Sequence, residues 1–106
     1  MALSALEQSA LSDLRTRLTA RFGDRLARIV LFGSRARGEG HEESDLDVLV
    51  LVRSLTRTER REAIDDAGEV ETSSGLIVSV LVRDADAWES ARGALAAAVE
   101  REGLSA

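Results

Sequence analysis

The 106-residue chain is 44% apolar, enough for a modest core and a single domain spanning 1–106. The absence of cysteine and the presence of one histidine, His41, argue against a disulfide framework, a thiolate metal site and a histidine-built zinc site. With 19 acidic against 14 basic residues, the net charge of −5 disfavours an extended nucleic-acid surface. No apolar run approaches the roughly 20 residues of a membrane span, and no basic leader precedes one. A soluble, cytoplasmic protein is expected.

In chain order, Ser4 and Glu7 have the spacing of a capping box. Leu11, Leu14, Leu18 and Phe22 then recur every three or four residues, which predicts an amphipathic helix stopped by Gly23. Arg25 to Phe32 reads as a first strand. Residues 33 to 45 are polar, and Ser34 can cap a short helix that Gly38 would stop. His41, Glu42 and Glu43 read as solvated loop residues. A second strand follows at 46 to 52. Thr56 and Glu59 repeat the capping-box spacing, and Ala63, Ile64, Ala67 and Val70 mark one helical face. The charged run from Glu59 to Glu62 reads as the solvated face. Thr72 to Gly75 is expected as a turn, and Leu76 to Val82 as a third strand, apolar except for Ser79. Asp84 is placed to cap a short helix carrying Trp88, which suits either a core or an interface. An alanine-rich helix is expected from Ala94 to Arg101, ended by Gly103.

The chemistry lies between the first two strands. Asp45 and Asp47 are two residues apart at a strand start, so they share a face. Adjacent carboxylates repel unless a cation sits between them, and hard oxygen ligands suit Mg²⁺. At the other end of the connection, Gly33 permits a tight turn and close backbone approach. Ser34 would open a helix whose free N–H groups suit a phosphate, with Arg35 and Arg37 adding positive charge. Gly33 and Gly38 also match the glycine spacing of a P-loop. Glu39-Gly40 follows where that motif needs Lys and Ser or Thr, which excludes it.

The stretch GSRARGEGHEESDLD followed by VLVLV resembles the minimal nucleotidyltransferases of the DNA polymerase β-like superfamily. Their signature is Gly-Ser, about ten residues, then Asp-x-Asp between two strands. The resemblance extends over roughly 11 to 104, and its specific part is 32 to 47. It implies an α/β fold with a small mixed sheet flanked by helices. It also implies transfer of a nucleoside monophosphate from a triphosphate, ATP being the expected donor, to a hydroxyl, with two Mg²⁺ ions. Gly33, Ser34 and Arg35 would bind the nucleotide, and Asp45 and Asp47 would ligate the metal. It further implies a separately encoded helical partner of the HEPN type, in an antitoxin role; self-association is the other expectation drawn from size.

One residue departs from the pattern. The family carries a third carboxylate in the next strand, and here that strand reads LIVSVLV, with Ser79 at the expected place. A serine hydroxyl is a weak metal ligand and a poor base. Three readings therefore stay open: an active transferase, a catalytically silent binding module of the same fold, and a structural α/β domain with a chance motif.

Overall fold

The computed structural model describes residues 3–32, 45–90 and 104–105, with positions 45, 104 and 105 described by backbone alone. Helix α1 (Ala5–Phe22) opens on the expected capping box: the Glu7 N–H donates to Ser4 Oγ at 3.1 Å, and the Ser4 N–H donates to Glu7 Oε1 at 2.8 Å. Ala10, Leu14, Leu18 and Phe22 form its buried stripe at four-residue spacing. Gly23 ends the helix at φ 55°, a left-handed value that a side chain would strain.

Arg25 was expected to begin the first strand. It closes a 3₁₀ turn (Gly23–Arg25) instead, and β1 runs Leu26–Phe32. Its guanidinium donates to both Glu59 carboxylate oxygens at 2.8 and 2.7 Å and to the carbonyls of Ser54 and Arg53 at 2.8 and 3.1 Å. That set of bonds ties the turn to the next helix, while the Arg25 carbonyl still accepts from the Arg53 N–H at 2.8 Å.

Strand β2 (Asp45–Val52) pairs antiparallel with β1, and helix α2 (Arg57–Ser74) crosses to β3 (Ile77–Asp84), which lies parallel to β2. A two-residue β4 (Leu104–Ser105) pairs antiparallel with β1, giving a mixed sheet of order β3-β2-β1-β4. The expected α/β class with a mixed sheet is therefore present. Between Leu26 and Arg28 the β1–β2 register slips by one, so Ala27 is an extra residue, a β-bulge.

Three local expectations change. Thr72 to Ser74 stay helical: Thr72 Oγ1 donates back to the Gly68 carbonyl at 3.0 Å, and Gly75 at φ 77° provides the left-handed cap. The third strand is shifted from 76–82 to Ile77–Asp84, because its parallel ladder with β2 continues to the Val52–Asp84 pair. Ile64 is 47% exposed rather than buried with Ala63, Ala67 and Val70. Asp66 takes the remaining inward place, where Arg21 Nε and Nη2 donate to its two oxygens at 2.7 and 3.0 Å. This pairing raises the Arg21 pKa and pins α1 to α2.

Apolar residues pack on both faces of the sheet. Leu46, Val48, Val50 and Val52 of β2 pack with α1 and α2 in the larger core. Leu49 and Leu51 point the other way and cluster with Val30 and Trp88. Helix α3 (Ala85–Ser90) carries Trp88 onto that second face, so Trp88 closes the chain's own core. Asp84 caps α3 as expected, accepting from the Ala87 N–H at 3.0 Å. It also accepts from the Leu55 N–H at 3.0 Å, which joins the β2–α2 connection to the start of α3. These backbone donors, Ala87 first and then Leu55, lower the Asp84 pKa. The helix expected over 94–101 and its stop at Gly103 lie outside the described residues.

Candidate functional site

Asp47 sits on the second sheet face, in line with Leu49 and Leu51, at the end where β1 leaves the sheet and β2 enters it. Alternation along a strand gives this face to positions 45, 47, 49 and 51. Positions 45 and 47 stand about 6.6 Å apart along the strand. Asp47 is half-buried, while Leu46 and Val48 on either side of it are buried toward the helices. The even positions around Asp47 thus anchor β2 against the helices, and Asp47 follows Leu49 and Leu51 at the outer end of the opposite face.

The register supplies the lateral neighbours. Asp47 pairs with Phe32 on β1 and with Ser79 on β3, and Asp45 pairs with Ile77. In-register residues of adjacent strands present their side chains to the same face, about 4.8 Å apart. Ser79 therefore neighbours Asp47, as the sequence pattern led one to expect. It is exposed, and Ile77 beside it is 54% exposed. Ile77 opens β3, an edge strand of the sheet.

No acid of β3 stands near Asp47. Asp84 is at the far end of the ladder, opposite Val52, and is committed to the Leu55 and Ala87 N–H groups. Glu71, just before the strand, accepts from the Val78 N–H at 2.9 Å. Among the described residues no three or more His, Cys, Asp or Glu side chains gather where they could hold a metal ion. Gly33, Ser34, Arg35, Arg37 and His41 all lie outside the described residues, as does the side chain of Asp45. What the described part offers is a hard-oxygen donor, Asp47, with a second carboxylate two residues earlier on the same strand and a hydroxyl alongside. That donor chemistry fits Mg²⁺ better than a softer metal.

Comparison with known proteins bears on the family and the fold. A family model described as a nucleotidyltransferase domain matches residues 11–98. A candidate protein adenylyltransferase of Methanocaldococcus jannaschii is 40% identical over 60 residues, covering 56% of this chain and 61% of that relative. The chain thus spans less than two thirds of that relative's length. A solved structure of a candidate minimal nucleotidyltransferase is 27% identical, covers 98% of both chains and superposes with a TM-score of 0.61. A chain in the crystal structure of a toxin–antitoxin with AMP-PNP is 26% identical, with a TM-score of 0.61, over 87% of this chain and 68% of that one. Among the described residues no helix is long and apolar enough to cross a membrane.

Proposed function

Because the chain belongs to the nucleotidyltransferase domain family, whose model spans 88 of its residues, 11 through 98, we propose that it transfers a nucleoside monophosphate from a triphosphate to an acceptor hydroxyl. The observation that carries this reading is the Asp-x-Asp at the first residues of β2, with Asp47 in register with Ser79 on an open strand. Asp45 and Asp47 would hold Mg²⁺, and Gly33, Ser34 and Arg35 would hold the triphosphate. Bound Mg²⁺ supplies positive charge to the phosphoryl oxygens during an in-line displacement. The chain's own part is placement. Phe32 and Leu49 give Asp47 apolar neighbours, which strengthens its hold on a cation relative to a fully hydrated carboxylate. ATP is the proposed donor, a choice supported by the AMP-PNP in the similar toxin–antitoxin structure and by the adenylyltransferase relatives.

The proposed acceptor is a protein partner. The likeness to a toxin–antitoxin structure supports a partner protein, and a separately encoded HEPN-type helical protein is the partner the family resemblance implies. A second reading has one specific observation behind it. Ser79 stands beside Asp47 where a third carboxylate would complete the set, so the chain would bind Mg²⁺ and nucleotide while turning over poorly or not at all.

Incubation with α-³²P-labelled triphosphates and Mg²⁺, with and without the product of the adjacent gene, tests both. Label on the partner supports transfer. Saturable nucleotide binding without label supports the silent module. Absence of binding refutes both.

A further inference from the structure

Ser79 is the residue of β3 in register with Asp47, and it is an exposed hydroxyl. Register neighbours stand about 4.8 Å apart with their side chains on one face, so a phosphate held at Asp47 lies against the Ser79 hydroxyl. The strand carrying it is at the sheet edge, and Ile77, two positions earlier on the same face, is 54% exposed. A group as large as a nucleotide therefore has room at position 79 and an apolar surface beside it.

Resting on the function proposed above, we propose that Ser79 is itself an acceptor: the chain transfers a nucleoside monophosphate to its own Ser79 hydroxyl. Ser79 Oγ attacks the α-phosphorus of the bound triphosphate. The Oγ–P bond forms, and the bond from the α-phosphorus to the oxygen bridging the β-phosphate breaks. Pyrophosphate leaves with that electron pair. The Oγ proton passes to solvent water, to which Ser79 is exposed. The product is a serine phosphodiester, which is stable, whereas a carboxylate at the same position would give a hydrolysable acyl phosphate. The modified chain carries its nucleotide covalently in front of Asp47, so each chain reacts once and is then closed to further donor.

The test uses the purified full chain with Mg²⁺ and ATP, CTP, GTP or UTP in turn, read by intact-mass and peptide mass spectrometry. Nucleotide binding is measured in parallel by calorimetry. The expected result is one nucleoside monophosphate per chain on the peptide containing Ser79, dependent on Mg²⁺. It is absent in Ser79→Ala and in Asp47→Asn and kept in Ser79→Thr. Exposure of Ser79 means that Ser79→Ala should melt at the wild-type temperature, which the same preparation checks. An unmodified chain, an adduct on another residue, or an adduct that survives in Ser79→Ala overturns the inference. If nucleotide binds and the chain stays unmodified, this inference alone falls. If no nucleotide binds, the proposed function falls with it.

Discussion

Asp47 is half-buried between Phe32 and Ser79, so its substitution acts on a defined local environment. Changes around a metal site cost about 10–100-fold in affinity, and loss of two ligands should exceed that. Asp45→Asn with Asp47→Asn is therefore expected to weaken Mg²⁺-dependent nucleotide binding by more than ~100-fold in calorimetry, with the circular dichroism spectrum unchanged. Binding equal to wild type would remove these residues from the site. Ser79→Asp makes the opposite change. Carboxylate count sets affinity for hard cations, so Mg²⁺ should bind roughly tenfold more tightly, and transfer to an added acceptor should rise. No gain in either would mean that position 79 faces something other than the metal. The register of Asp47 with Ser79 was legible in the sequence because Ser79 alone breaks an apolar strand. The openness of Ile77 was not, since burial of an edge residue depends on what lies beyond the edge rather than on its own side chain.

At the scale of elements, both capping boxes and their helices were legible, because each rests on contacts within four residues. What was not legible rests on distant partners. Arg25 bonds Glu59 from the turn before β1, and Asp66 faces inward for Arg21, pairs separated by 34 and 45 residues. Asp66→Ala should remove a two-bond charged contact and lower the urea-unfolding free energy by roughly 1.5–3 kcal/mol. A loss no larger than that of an exposed site such as Glu69→Ala would show that the pair is idle. Glu59 gives a pH signature. The Arg25 guanidinium, and then the Thr56 N–H, lower its pKa from 4.5 to about 2. A depressed carboxylate pKa stabilises the fold above its unfolded value, and the stabilisation is lost as pH falls through the folded one. The wild-type chain should thus lose stability between about pH 4.5 and pH 2, and Glu59→Gln should lose less over that interval. Identical acid-unfolding profiles for the two would mean that the pair is broken by solvent, as exposed ion pairs often are.

For the molecule as a whole, the two faces of β2 divide the work. One face is buried against α1 and α2, and the other carries Asp47 at one end and the Trp88 cluster at the other. Trp88 is only 9% exposed, so it serves the core rather than an interface. Trp88→Ala should cost about 3–5 kcal/mol by denaturant titration, whether or not a partner is present. A variant destabilised only when the partner is withheld would return Trp88 to the interface. Residues 33–44 and 91–103 lie outside the described residues, and the alternation of β2 says nothing about them.

The bulge at Ala27 bears on how chain length can vary. A strand alternates its faces residue by residue, so one amino acid gained or lost inside it turns every later side chain over. Removing Val30 would shift α1 and its turn against the sheet, or else slide Phe32 away from Asp47. Removing Ala27 would do neither: Leu26 opposite Val52 and Arg28 opposite Leu51 would become consecutive pairs of a regular ladder. Natural length variation and engineered deletions should therefore be tolerated at that single joint, which absorbs the change while α1 and Asp47 keep their places against the sheet.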